Sequence, residues 1–256
     1  MQDATAILRP NLALIEEPAR KYRPSQYLAR EGEEQFRIHR ILDGWALRYK
    51  LLPDGRRQIA ALFLPGDCCD ILWISNGRAA SHVLALTPVT TAPIPIGSLR
   101  ARARIDAALE EWLWTEATAM SEIQTEWIIN LGRKRAVEKL AHVLCEIFLR
   151  LRAVGKTEGD RCWMPLTQAE LGDLTGLTPV HVNRTLQDMR AAGLLDLRGK
   201  WLWIPDLDQL RRLSLFYDEY ARILSRPKLG NAERQPAQPP LAERPGRPTD
   251  RQAAAL

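Results

Sequence analysis

A segment beginning at Thr167 carries residue types whose spacing suits contact with DNA bases. On the second of its two predicted short helices, Val180, Asn183 and Arg184 share one outer face. The apolar residues recur at spacings of three and four on the opposite, inner face. Arginine can pair with guanine N7 and O6, asparagine with adenine, and valine can contact a thymine methyl group. These three side chains are therefore the candidates for base contact in a major groove.

The same segment has the local signals of two helices joined by a tight turn. Thr167 with Glu170 three residues later is a capping-box pattern at the start of the first helix. Gly176 suits the reversal, and Thr178 followed by Pro179 supplies an N-cap and a first-turn proline for the second helix. Together these signals predict a helix-turn-helix.

A β-hairpin with a basic tip is predicted directly after the second helix. Leu194, Leu195 and Leu197 precede the turn Arg198-Gly199-Lys200, and the apolar run 201–204 follows it. Such a hairpin beside a base-reading helix is a wing, and its cations are suited to phosphates. A helical hairpin with an adjoining β-turn and no DNA contact is the plainer alternative, and the agreement of caps, turn and wing favours DNA binding.

The first hundred residues must form a different kind of structure. Apolar and polar residues alternate from Phe36 to Leu51, and the residues 53–56 (Pro-Asp-Gly-Arg) suit a tight turn before an apolar run at 59–64. These short strands are expected to be half-buried. With no helix-length pattern between them, they favour an antiparallel barrel or jelly roll.

A long helix is predicted from Asp106 to Leu131, a stretch without Gly or Pro. Leu113, Met120 and Trp127 are seven residues apart, and this seam favours a two-stranded dimer contact over packing on the barrel. Gly132 is expected to end that helix. A second amphipathic helix follows to Gly155, in which His142 and Cys145 are interpreted as core residues rather than metal ligands.

Charge and composition narrow the functional class. The 256 residues carry a formal net charge of +5, and residues 130–204 hold twelve basic and eight acidic side chains, as a DNA-binding module would.

The four cysteines form no CxxC pair and are expected to be small core residues. No apolar run is long enough for a membrane span or signal peptide, so a cytoplasmic protein is expected. Six prolines and six basic residues near the C-terminus predict a disordered tail over 225–256.

From about residue 20 to 205 the chain resembles the CRP/FNR family of transcription regulators. The resemblance rests on the Gly66-Asp67 turn after a barrel strand, the long helix, and the run Leu-Thr-x-x-x-Val-x-Arg-Thr-Leu followed by Gly-Leu-Leu. It implies an α+β fold: an N-terminal double-stranded β-helix (jelly roll) sensor domain at 20–105, a long dimerisation helix at 106–131, and a C-terminal winged helix-turn-helix domain at 132–224. The implied function is transcription regulation by a homodimer on a near-palindromic site in double-stranded DNA.

The family's site residues carry over unevenly. Arg184 matches the main base-reading arginine, Asn183 occupies a position that contacts bases in part of the family, and Val180 replaces a glutamate that many members use. The resemblance implies backbone contacts by Gln168, Thr178 and Gly199. His181 occupies another such position, where a packed side chain is the equal alternative, and the basic wing tip adds Lys200 as a phosphate contact.

The resemblance does not identify an effector. The glutamate of the cyclic-AMP-binding members is missing after Gly66-Asp67, and Arg78 is out of register with their phosphate-binding arginine, so cyclic AMP is disfavoured. No cysteine precedes Cys68, which disfavours an iron-sulfur cluster. A haem held by His82 with Cys68 or Cys69 is the weaker interpretation of a lone histidine, and no cofactor is predicted.

Two other classes remain open at this point. A cupin-like metal enzyme would need histidine pairs or adjoining carboxylates, which the four histidines lack, so no enzyme activity is expected. A ligand-sensing adaptor without DNA binding could instead act through Trp112, Trp114 and the tail. A regulator is favoured over both, with RNA polymerase as a further partner and no membrane association.

Overall fold

A computed structural model of the chain describes residues 11–69 and 71–225. The interpretation of 225–256 as a tail therefore lies outside the described residues, apart from Ser225, which ends the last helix. A short 3-10 helix at Leu12–Leu14 precedes the first strand.

The N-terminal part is an antiparallel barrel of two four-stranded sheets. The strands are β1 (Arg20–Tyr22), β2 (Tyr27–Ala29), β3 (Arg37–Asp43), β4 (Ala46–Leu51), β5 (Arg57–Phe63), β6 (Cys68–Cys69), β7 (His82–Ala85) and β8 (Val89–Pro95). One sheet has the order β1-β8-β3-β6 and the other β2-β7-β4-β5. Gly55 and Gly66 have positive φ in the turns before and after β5, as the turn residues predicted.

The outer face of the second sheet is not exposed to solvent. Leu47 and Tyr49 of β4 and Trp45 just before it are buried in one cluster with residues of the C-terminal domain, whereas Ala46 lies in the barrel core. The prediction of half-buried strands is therefore wrong for β4, because the C-terminal domain covers the face on which these large side chains lie.

Helix α1 (Trp73–Asn76) lies between β6 and β7, and α2 (Ile96–Ala103) and α3 (Ala107–Arg133) connect the barrel to the C-terminal domain. Asp106 is the N-cap of α3 and accepts a hydrogen bond from the Leu109 N–H. Gly132 lies inside α3 rather than ending it, and the helix stops one residue later at Arg133. A single glycine near a helix end costs only about 1 kcal/mol, which neighbouring contacts can offset.

The C-terminal domain is built on α4 (Ala136–Ala153), which is buried along most of its length. A four-stranded sheet of order β11-β12-β10-β9 lies beside it, with β9 (Thr157–Glu158), β10 (Arg161–Trp163), β11 (Asp196–Arg198) and β12 (Trp201–Trp203). The remaining helices are α5 (Gln168–Thr175), α6 (Pro179–Ala191), α7 (Leu207–Leu213) and α8 (Asp218–Leu224).

The helix pair α5–α6 is attached to the barrel through α5. Arg57 on β5 donates a hydrogen bond from Nε to Asp173 Oδ2 at 2.7 Å, and Gln58 reaches the Leu174 carbonyl at 3.5 Å. The barrel therefore supports the helix that precedes α6.

Candidate DNA-binding site

The turn between α5 and α6 has the predicted caps. The Thr167 hydroxyl accepts from the Glu170 N–H at 3.2 Å, and the Glu170 carboxylate accepts from the Thr167 N–H at 2.7 Å. Gly176 ends α5 with φ +68°, a conformation that favours glycine. Thr178 caps α6 by accepting from the His181 N–H at 3.2 Å. These bonds fix where α6 begins.

The two faces of α6 separate as the spacing predicted. Buried residues on one side hold the helix against the domain core, and they are Val182, Thr185, Leu186 and Met189. On the other side Val180 is 81% exposed, and Asn183 and Arg184 are exposed. Among the described residues, neither Asn183 nor Arg184 has a side-chain hydrogen-bond or ion-pair partner. The arginine fork and the amide are therefore available to a ligand.

The wing turn is a two-residue β-hairpin connection. Gly199 and Lys200 both have positive φ, of 55° and 66°, which is the type I′ geometry that matches strand twist. Both residues are exposed, and Lys200 has no ion-pair partner within the described part of the chain. The turn thus presents a free ammonium group.

The predicted backbone-contact residues lie on three elements. Gln168 is the first residue of α5, Thr178 and His181 lie at the start of α6, and Gly199 and Lys200 form the wing turn. The structure exposes all five.

Sequence reasoning missed two parts of this site. Strands β9 and β10 are too short for a clear pattern, yet β10 pairs with β12 and widens the wing hairpin into a sheet. It also missed that Arg190 at the end of α6 binds Asp196 of β11, with Nε 2.6 Å from Oδ1. The only sequence signal for that pair is an arginine six residues before an aspartate.

Comparison with known proteins agrees with this geometry. Residues 138–213 match the profile of the Crp-like helix-turn-helix domain, and residues 19–104 match that of the cyclic nucleotide-binding domain. The chain belongs to the CRP/FNR family of transcription regulators. The family and the α+β fold predicted from the sequence are thereby confirmed.

This CRP/FNR regulator is similar to proteins that are themselves regulators. The nitrogen fixation regulation protein FixK of Azorhizobium caulinodans is 28% identical over 185 residues, covering 71% of this chain and 74% of that protein. The transcriptional activator protein FnrL of Cereibacter sphaeroides is 28% identical over 193 residues, covering 71% and 73%. These relatives are transcription regulators, so the chain is a DNA-binding regulator of this type and the enzyme alternative is not favoured.

Solved structures show the same fold. FixK2 from Bradyrhizobium japonicum matches with a TM-score of 0.69 at 26% identity, covering 78% of this chain and 97% of that one. A CooA mutant from Carboxydothermus hydrogenoformans matches with a TM-score of 0.61 at 18% identity, covering 79% and 89%.

Arg78 is not placed to hold a cyclic phosphate in the barrel of this CRP/FNR regulator. A cyclic phosphate needs an arginine and hydrogen-bonding partners inside the barrel, but Arg78 is exposed and donates to Glu34 and to the Gly32 carbonyl. Ile71, which follows the Gly66-Asp67 turn, is buried and apolar. An apolar cluster packs between the two sheets of the barrel, and Arg40 of β3 and Arg48 of β4 are buried as well.

The residues considered for haem lie apart. His82 is on β7, where its Nδ1 accepts from the Glu31 N–H at 3.2 Å and its ring packs on Tyr49 at 5.2 Å. Cys68 and Cys69 form β6 in the opposite sheet. Over residues 11–69 and 71–225, no group of three or more His, Cys, Asp or Glu side chains is placed to hold a metal ion.

The four cysteines and His142 lie in the core, as predicted. All four cysteines are buried and free, and burial raises the pKa of Cys145 and of Cys162 to about 12. His142 accepts from Lys134, whose Nζ lies 2.7 Å from Nδ1. Burial and the nearby Lys134 charge lower the pKa of His142 to about 3.

Within the described residues no helix has the length and apolar character to cross a bilayer.

Proposed function

We propose that this regulator reads a near-palindromic DNA site as a homodimer, with α6 of each subunit in a major groove. The observation that carries the proposal is the outer face of α6, where Val180, Asn183 and Arg184 are exposed and the two polar side chains have no partner among the described residues. Arg184 would pair with a guanine, Asn183 with an adenine, and Val180 with a thymine methyl group.

Phosphate contacts would hold α6 in register. Lys200 at the wing turn supplies a free cation, and Gly199 allows the turn to approach the backbone closely. Gln168 and Thr178 lie at helix starts, where positive helix dipoles favour anions. The hydroxyl of Thr178 accepts from His181 and still has its own proton to donate. His181 would contact the backbone from the first turn of α6.

The dimer would form through α3, but on a face different from the predicted seam. Trp127 is buried and donates its indole N–H to Glu146 at 2.6 Å, so it does not lie on that face. One row of exposed residues instead recurs at spacings of three and four along α3. Its members are Glu111, Trp114, Thr118, Ser121, Thr125 and Ile128.

This exposed row supports pairing with a second copy. Trp114 is 69% and Ile128 71% exposed, and they flank three small residues that allow two helices to approach closely. A seam with spacings of three and four is the pattern of a two-stranded coiled coil. Two α6 helices held by such a dimer would meet grooves one helical turn apart, about 34 Å.

The relatives' role as transcription regulators supports two further parts of the proposal. RNA polymerase is the partner through which such a protein would alter transcription. The cytoplasm is the compartment in which a bacterial regulator meets its DNA.

The test is selection of bound duplexes from a random library by the full-length protein at fixed salt. We expect a two-fold symmetric motif with guanines at matching positions of both half-sites. Arg184→Ala should lose the preference at that guanine, whereas Arg212→Ala, which removes an exposed arginine of α7, should keep the motif. An Arg184→Ala protein that selects the unchanged motif would refute the assignment of base reading to α6.

A further inference from the structure

Arg190 ties the end of α6 to the first strand of the wing. Its Nε donates to Asp196 Oδ1 at 2.6 Å, and one Nη donates to the Leu197 carbonyl at 2.9 Å. Two bonds from one planar guanidinium to one strand fix a direction as well as a distance. They restrict how β11 can swing relative to α6.

Asp196 extends this link to the wing turn. Its carboxylate also accepts from Arg198, with Nε 3.0 Å from Oδ2. Arg198 immediately precedes Gly199 and Lys200. One carboxylate therefore connects the last turn of α6 with the residue that opens the wing turn.

The charge of Asp196 is unfavourable for DNA binding taken by itself. A carboxylate close to a wing that meets phosphates repels them, so electrostatics alone predicts that removing it would strengthen DNA binding. The side chains of Arg190 and Asp196 are 37% and 30% exposed, and a half-exposed pair of this kind adds little to stability. Neither the charge of Asp196 nor the stability that the Arg190–Asp196 pair adds accounts for this arrangement. Positioning of the wing relative to α6 does account for it.

We infer that Arg190 and Asp196 are positioning residues that hold the wing turn at a fixed place relative to Arg184. This inference rests on the proposed function, because it assumes that Arg184 reads a base and Lys200 a phosphate. With the link intact, one orientation of the domain makes both contacts. Without it, α6 and the wing bind as two loosely joined parts, and each contact is made at the expense of the other.

The test is the affinity of Asp196→Asn for a duplex selected by the wild-type protein and for an unrelated duplex, both at the same salt. The asparagine amide keeps the shape of the Asp196 side chain and removes its negative charge. We expect affinity for the selected duplex to fall about tenfold and affinity for the unrelated duplex to stay equal or rise. Ethylation interference at the phosphates near the wing should weaken, while methylation interference at the guanine contacted by Arg184 persists.

Asp188→Asn is the matched control. Asp188 is exposed on the same helix and has no side-chain partner within the described residues, so its replacement removes the same charge without breaking a link. Affinity for both duplexes should stay equal or rise. Arg190→Lys keeps the charge and can keep only one of the two bonds. Its affinity for the selected duplex should lie between that of wild type and that of Arg190→Met.

The outcomes separate the inference from the proposed function. If Asp196→Asn binds the selected duplex as tightly as Asp188→Asn, with an unchanged phosphate footprint, the positioning role is overturned. If the wild-type protein itself shows no preference between the duplexes, the proposed base reading fails instead. Thermal unfolding of each variant within a few degrees of wild type would show that the loss is not one of folding.

Discussion

Arg150 on α4 donates a hydrogen bond to Asp67 of the barrel at 2.6 Å, in a site where both side chains are almost fully buried. The same guanidinium bonds Glu146 at 2.9 Å and the Leu62 carbonyl at 2.7 Å. Glu146 in turn accepts from Trp127 of α3 and Tyr220 of α8. The Gly66-Asp67 turn of the barrel is therefore joined to the long helix and to the DNA-binding domain through one arginine.

Replacing Arg150 should unfold this junction. Burial acts to lower the pKa of Arg150, but the Asp67 and Glu146 carboxylates outweigh it and hold the pKa above its usual value. Arg150→Met leaves both carboxylates buried without their cation, which costs about 3–5 kcal/mol. Urea unfolding should show this loss. Arg152→Met, two residues along on an exposed position, should change the unfolding free energy by no more than about 0.5 kcal/mol, and equal losses would contradict the account.

Stability should decline as the pH falls below 6.5. The folded protein keeps His142 neutral with a pKa of about 3 and His39 with a pKa of about 4, both lowered chiefly by burial. The unfolded chain binds protons at these histidines near pH 6.5, so the unfolded state gains protons first and is favoured by acid. Each histidine contributes up to about 1.4 kcal/mol per pH unit in this window.

The variant that checks this is His142→Gln, whose amide oxygen can accept the Lys134 hydrogen bond. We expect it to be less stable than wild type at pH 7, because the ring contacts with Phe216 and Tyr220 are lost. Its unfolding free energy should also vary less between pH 6.5 and 4.5. A pH dependence as steep as that of wild type would show that His142 titrates normally in the folded state.

The dimer should depend on the exposed row of α3. Trp114→Glu together with Ile128→Glu places two charges on that row, where pairing would bury them. Sedimentation velocity should give a monomer, and operator affinity should fall because the two half-sites are no longer bound together. Ile105→Glu changes an apolar side chain that is 81% exposed just before α3, and it should leave the dimer intact. A dimer that survives the double change must form elsewhere.

The turn between α5 and α6 should not tolerate a side chain at Gly172. A Cβ there would lie 2.5 Å from the Leu177 carbonyl oxygen, so the helix pair would have to separate. Gly172→Ala should lower the unfolding free energy by about 1–3 kcal/mol and weaken DNA binding. Gly132→Ala meets nothing within 4 Å and should be neutral or stabilising by up to about 1 kcal/mol. Calorimetry would compare the two variants. Equal stability of Gly172→Ala and Gly132→Ala would contradict the close contact between Gly172 and the Leu177 carbonyl.

The sequence was most informative where structure is determined locally. The caps at Thr167 and Thr178, the glycine turn at Gly176 and the two faces of α6 all depend on residues within a few positions of each other. Those signals sufficed to predict the helix pair and the candidate base contacts. The wing turn was equally local, since Gly199 and Lys200 need only their own backbone conformation.

The sequence was least informative where distant segments meet. Alternation placed Trp45, Leu47 and Tyr49 on one face of the chain, but nothing local shows that the C-terminal domain covers that face. The same limit applies to Trp127, whose seven-residue spacing suited a dimer seam although α4 buries it. The junction through Arg150 and Asp67 joins residues 83 positions apart, which no periodicity can indicate.

The most direct test of base reading pairs a change in the protein with a change in the DNA. Affinities are measured for wild type and Arg184→Ala on the selected duplex and on the same duplex with the contacted guanine replaced by 7-deazaguanine, which lacks the N7 acceptor. We predict that each single change costs about 1–3 kcal/mol and that the double change costs little more than either one. Additive losses from the two changes would contradict a contact between Arg184 and that guanine.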